Sequence, residues 1–147
     1  VVVRHRHGDV VAVVELVSPG NKATRAEFRS FCQKSIDLLQ SGVHLLIVDP
    51  FPPSPRDPRG VHPAVWGEFD PDDPFVPPAD RPLTAAGYDA GEWTAYVEPF
   101  AVGDPVPELP LFLRPGVYVP CPLDAAYQET WRVFPQALKG LLEPGGE

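Results

Sequence analysis

Glu15 is the only carboxylate in the stretch Val10 to Lys22, VVAVVELVSPGNK, whose first eight residues are otherwise apolar. A strand that is apolar on successive residues is buried on both faces, so a carboxylate within it must be paired, hydrogen-bonded, metal-bound or neutral. Two lysines follow, Lys22 just beyond the strand and Lys34 further on. An acid and a cation brought together in this way suit phosphodiester chemistry, in which carboxylates hold Mg²⁺ to activate water and a lysine stabilises developing charge. Glu15 would be the metal ligand, with Lys34 or Lys22 as the catalytic cation. The structural alternative is an ion pair.

A metal centre of this kind needs a second acid. Positions 1 to 7 contain no Asp or Glu. Asp9 is six residues from Glu15, about 20 Å along an extended strand, too far to share a metal. The second ligand is therefore absent, or supplied by a segment upstream. His5 and His7, two apart on one strand, could chelate a metal together with His44 and His62, but no Cys or carboxylate spacing supports zinc, and surface or half-buried histidines are the ordinary alternative. No Gly-rich phosphate loop, nucleophile elbow or Cys-His pair occurs.

The elements that must position these groups begin with a β-hairpin, Val1 to His7 and Val10 to Ser18 around Gly8-Asp9. With His7 opposite Val10, Val2 opposes Glu15 and Arg4 becomes its diagonal neighbour, the expected structural partner. Ser18-Pro19-Gly20-Asn21 ends the strand, and Thr24 with Glu27 forms a capping box for a helix to about Ser41. Phe28, Phe31, Cys32, Ser35 and Leu39, with Ile36 and Leu38 beside them, make its buried stripe, and Gly42 stops it. Lys34 lies at the stripe's margin, free to reach water or run along the sheet. Val43 to Val48 is then a second apolar strand, returning parallel beside the Glu15 strand to give β-β-α-β.

Between Pro50 and Pro82 eleven prolines in thirty-three residues disfavour regular helix or central strand, while Trp66, Phe69 and Phe75 are too apolar for a free linker. The expectation is an ordered arm over residues 50–87, anchored by Trp66. Its start, PFPPSPRDP, could adopt polyproline II and take a partner, or lie against its own domain. Residues 88–139 should add strands and a last helix: a turn at Gly87 to Gly91, an edge strand Trp93 to Val102 bearing Pro99, short strands at Leu111 to Leu113 and Val117 to Val119, and a helix capped by Asp124 through about Phe134. Residues 140–147 are expected to fray.

The chain of 147 residues suits one domain, residues 1–49 forming its core, as the C-terminal part of a longer protein. Net charge is −8, divided into +3 over residues 1–34 and −11 over the remainder, which argues against a general nucleic-acid-binding surface and leaves a local anion site at the positive end. Cys32 and Cys121 fit neither a disulfide framework nor a zinc site, and no apolar run reaches the length of a membrane span, so a reduced, cytoplasmic protein without a membrane partner is expected. Composition does not speak to oligomeric state.

Several segments carry a resemblance. VELVSPGNK, SGVHLLIVDPFPPSPRDPRGVHPAVW, DRPLTAAGYDAG, AYVEPFAVGDPVPELPLFL and YVPCPLDAAYQ resemble the bacterial family called domain of unknown function 4058 over essentially the whole chain. More distantly, Glu15, Ser18-Pro19, Lys34, Gly42-Val43 and Val48-Asp49-Pro50 resemble the Uma-two endonuclease family of the PD-(D/E)XK superfamily, within the first fifty residues. The lysine that family places two residues after the acid is replaced here by Val17, so Lys22 or Lys34 would substitute spatially. The resemblance implies an α/β fold with a PD-(D/E)XK-like β-β-α-β core and Mg²⁺-dependent hydrolysis of nucleic acid. The alternative is a catalytically inactive binding or scaffold domain on the same fold.

Overall fold

The computed structural model describes residues 1–142. Its elements in chain order are β1 (Val2–Arg4), β2 (Val10–Leu16), α1 (Arg25–Gln40), β3 (His44–Asp49), α2 (Val61–Trp66), β4 (Leu83–Asp89), β5 (Thr94–Phe100), β6 (Leu109–Arg114), β7 (Val117–Cys121), α3 (Leu123–Val133) and α4 (Gln136–Leu142). The class is α/β. Strands β1 to β5 form one mixed sheet in sequence order, β2 and β3 parallel and the other neighbours antiparallel, while β6 and β7 form a separate hairpin.

Helix α1 is the crossover that makes β2 and β3 parallel. The Thr24 hydroxyl accepts from the Glu27 N–H at 3.1 Å, satisfying a donor that the first helical turn would otherwise leave open. Phe28, Phe31, Cys32, Ser35, Ile36 and Leu39 are its buried residues, as the spacing predicts, and Gly42 ends it with φ +76°. Strand β3 is buried along its whole length because the sheet is covered twice. On one face Val13, Val17, Leu45, Ile47 and Tyr88 meet α1 and α2; on the other Ala12, Leu46, Val48 and Ala85 meet Leu109 and Leu111 of the hairpin. A strand covered on both sides cannot alternate polar with apolar residues, which explains the run HLLIVD.

Several expectations are corrected. The β1–β2 turn is longer than Gly8-Asp9: Val2 faces Val13, Arg4 faces Val10, and an irregularity follows Val3. Arg4 is therefore well away from Glu15 and donates instead to the Gly8 carbonyl at 2.8 Å. Within the arm, Val61–Trp66 is helical despite Pro63, which falls in the first turn, where its missing N–H costs no intrahelical bond. Trp66 is buried there, as expected of an anchor. Gly87 belongs to strand β4, not to a turn, and β4 begins at Leu83, inside the span assigned to the arm. Pro122, not Asp124, precedes α3; the Asp124 carboxylate accepts from the Val106 N–H at 3.2 Å. Residues 140–142 continue α4, and the rest of the expected frayed end lies outside the described residues.

The placement of Gly87 has a physical cause. A β-carbon there would stand 2.6 Å from the carbonyl oxygen of Pro110, where the hairpin crosses the sheet. Backbone cannot retreat as a side chain can. Gly87→Ala is expected to destabilise the protein by about 1–3 kcal/mol, read as a lower denaturant midpoint, because the hairpin must lift from β4.

Candidate functional site

Glu15 is in β2, opposite Ile47 of β3 and on the face that meets α1. From α1, the Lys34 Nζ reaches its Oε1 at 2.5 Å. The carboxylate and the cation singled out by spacing therefore do meet. The pair is open to water, the Lys34 side chain being 58% exposed and that of Glu15 23%. Screening leaves such a pair a contribution of roughly 1 kcal/mol or less.

Lys22 stands elsewhere and does something different. Ser18 caps the turn Pro19–Lys22, its hydroxyl accepting from Asn21 N–H while the Asn21 side chain accepts from Ser18 N–H, and this aims Lys22 inward. Its Nζ lies 2.7 Å from Asp49 Oδ2, 2.7 Å from Asp57 Oδ2 and 3.2 Å from the Phe51 carbonyl. All three charged residues are buried. Asp49 ends β3 and also accepts from the Phe51 N–H, while the other oxygen of Asp57 takes the Ser54 N–H and hydroxyl. One ammonium thus joins the sheet, the turn after β2 and the proline-rich arm. Burial raises the Asp49 carboxyl above its ordinary range, and the hydrogen bond and charge of Lys22 oppose that rise. Beside the cluster, burial first and Asp57 second push the Cys32 thiol up to about 12, so it stays protonated and unreactive.

A second buried polar chain had no local sequence signal. His62 of α2 contacts the Tyr88 hydroxyl through Nδ1 at 2.9 Å and Asp73 Oδ2 through Nε2 at 2.8 Å. A carboxylate only accepts, so Nε2 carries the proton and Nδ1 accepts from Tyr88. Burial lowers the His62 pKa, with Asp73 opposing, and burial raises that of Tyr88. The order of groups is that of a hydrolase relay, but the hydroxyl at its end is fully buried, out of reach of any substrate. His44 is tied elsewhere: its Nδ1 accepts from the Ala90 N–H at 3.1 Å and lies 3.3 Å from Asp89. Burial alone would raise the Asp89 carboxyl, yet the N–H groups of Gly116, Glu92 and Gly91 outweigh it and lower the pKa. His5 and His7 are exposed beside each other in the β1–β2 connection, so the four histidines do not gather.

The carboxylates around Glu15 are paired with lysines and a backbone N–H and are not gathered as a Mg²⁺ ligand set. That ion takes one or two carboxylates together with water and phosphate oxygens. Glu15 is already neutralised by Lys34, and both oxygens of Asp49, two residues beyond Glu15's partner on β3, are engaged by Lys22 and the Phe51 N–H. Among the described residues no group of three His, Cys, Asp or Glu is arranged to hold a metal ion, and no helix is long and apolar enough to cross a membrane. Comparison with family models, curated proteins and solved structures yields no match.

Proposed function

We propose that this chain is a binding or scaffold domain on an α/β core, without a working hydrolytic centre of its own. The observation that carries this reading is the buried Lys22–Asp49–Asp57 cluster. There a lysine and the carboxylate at the end of β3 spend their charge on each other and on the arm. Buried charges that neutralise one another hold structure together and are poorly placed to meet a solvated phosphate. The excess of acid over residues 35–147 also repels polyanions. Kinship with the domain of unknown function 4058 family and, at greater distance, with PD-(D/E)XK proteins is part of the same proposal, as is a reduced, cytoplasmic setting, in which Cys32 and Cys121 remain the free thiols they are here.

One observation favours a second reading, metal-dependent cleavage of nucleic acid: Lys34 and Glu15 are in contact, as a nuclease centre would require of its cation and acid. Calorimetric titration of the protein with Mg²⁺ and Mn²⁺, beside cleavage assays on single- and double-stranded DNA, separates the two. The expected result is no heat and no cleavage that depend on Glu15. Because the Glu15–Lys34 pair is solvent-screened, Glu15→Gln should shift stability by less than about 1 kcal/mol, so any activity it abolished would be chemistry, not unfolding. Metal binding or cleavage lost in that variant would overturn the binding-domain reading.

A further inference from the structure

At the β5 edge of the sheet, remote from Glu15 in strand order, lies a recess of about 450 Å³. Its walls include Trp66, Phe75 and Trp93, and its acids are Asp70 and Asp73. That volume falls within the range of about 300–1,000 Å³ typical of small-molecule sites. Trp66 is buried, its ring 5.5 Å from that of Phe69, and Phe69 is 4.8 Å from Trp93. Trp93 itself is 48% exposed and left-handed at φ +50°, the one positive-φ residue other than glycine among the described residues. An indole in that conformation is strained, and nothing in the turn's own hydrogen bonding asks for a tryptophan. Trp66, Trp93 and Asp70 also border an adjoining recess with Glu68 and Phe69, so the same two indoles line both.

The geometry points to a site for a quaternary ammonium cation, a group of the trimethylammonium class. Aromatic faces attract such a cation through the negative potential over their rings. Both oxygens of Asp73 are already occupied, Oδ2 by His62 and Oδ1 by the Phe75 N–H at 2.9 Å. Asp73 therefore offers negative charge with little free accepting capacity, which suits a cation that has no N–H to donate. Asp70, whose Oδ1 takes the Asp72 N–H at 3.3 Å, adds its charge from the exposed rim. A primary ammonium, strongly hydrated, would exchange most of its water for aromatic carbon and regain hydrogen bonds only at the Asp70 rim. Glu68, Asp70, Asp72 and Asp73 give this segment four negative charges; Arg59, bound to the Asp73 carbonyl at 3.1 Å, is the cation set against them. This site stands whether or not Glu15 proves to bind metal.

The test uses choline chloride and its uncharged isostere 3,3-dimethylbutan-1-ol, titrated at matched ionic strength into the protein while the indole N–H resonances of Trp66, Trp93 and Trp131 are followed by NMR. Choline should shift Trp66 and Trp93 saturably and leave Trp131 in place, with no saturable shift from the alcohol. Trp93→Gly, which removes the ring and relaxes the backbone, should weaken binding by about tenfold or more on Trp66, and Trp93→Phe should retain most of it. Asp70→Asn, at an exposed position, should weaken it several-fold. An equal response to the alcohol, no saturable shift with choline, or unchanged affinity in both Trp93→Gly and Asp70→Asn would overturn the assignment.

Discussion

Lys22→Met should destabilise the fold by about 3–5 kcal/mol, the cost of leaving buried charge without its partner. Methionine approximates the length of the lysine stem, so the loss is electrostatic more than steric. Asp49 and Asp57 would face each other with no cation between them, and the Oδ2 of Asp57 has no hydrogen-bonding donor to fall back on. The sign of the pH dependence follows. Asp49 already has a raised carboxyl, and removing Lys22 removes what opposes the rise. A carboxyl raised in the folded state contributes stability below its unfolded pKa and loses it as pH climbs through the folded one. The deficit of the variant relative to the parent should therefore be largest at neutral pH and shrink under mild acid, as read from denaturant midpoints across that range. Adding Asp49→Asn and Asp57→Asn removes the stranded charges, and the triple variant should recover at least half of the loss. A triple variant no more stable than Lys22→Met would mean that packing, not charge, holds the arm.

What was legible in the sequence was whatever one element determines alone. The stripe of α1, its Thr24 cap and the apolar run of β3 each follow from periodicity or local turn chemistry, and each stands where expected. The Glu15–Lys34 contact was within reach because a parallel β-α-β unit lays its helix over its own strands. Strand β4 was hidden because Ala85, Ala86 and Gly87 are poor strand formers, Gly87 being required by the closeness of the hairpin above it and not by the strand itself. The β1–β2 register was missed for another reason: an irregularity after Val3 shifts every pairing that the turn residues imply. The buried clusters were beyond any local rule. Lys22 finds Asp57 across a proline-rich run, and His62 joins Asp73 to Tyr88 across two connections without periodicity. The one available hint was Asp49 itself, a carboxylate closing an otherwise apolar strand, which demands a buried cation as Glu15 does.

Removing the imidazole at His62 should be the next most costly change, about 2–4 kcal/mol for His62→Ala. The substitution opens a cavity among Trp66, Phe75 and Tyr88, and it leaves the Tyr88 hydroxyl and an Asp73 oxygen without their partner. Tyr88→Phe deletes only the hydroxyl and leaves Nδ1 unpaired, so it should cost about 1–2 kcal/mol, and the double variant should cost less than the two singles added together. The stronger evidence is in the pH dependence. Burial lowers the pKa of His62, and also of His44, below the ordinary 6.5. Between the folded and unfolded values the unfolded chain holds the additional protons, so stability is full above about pH 6.5 and falls as pH drops through that window. Asp89, with its lowered carboxyl, adds a loss of the same sign only at more acid pH. One histidine contributes at most about 1.4 kcal/mol per pH unit to this slope. His62→Ala should therefore be less stable than the parent at pH 7 yet lose less on acidification to pH 5, the remaining slope combining the loss from His44 with the opposite contribution of the raised Asp49 carboxyl. Denaturant unfolding at half-unit steps measures it. Parallel pH profiles for parent and variant would mean that His62 takes up its proton in the folded protein as readily as in the unfolded chain, and the neutral Asp73–His62–Tyr88 chain would be wrong.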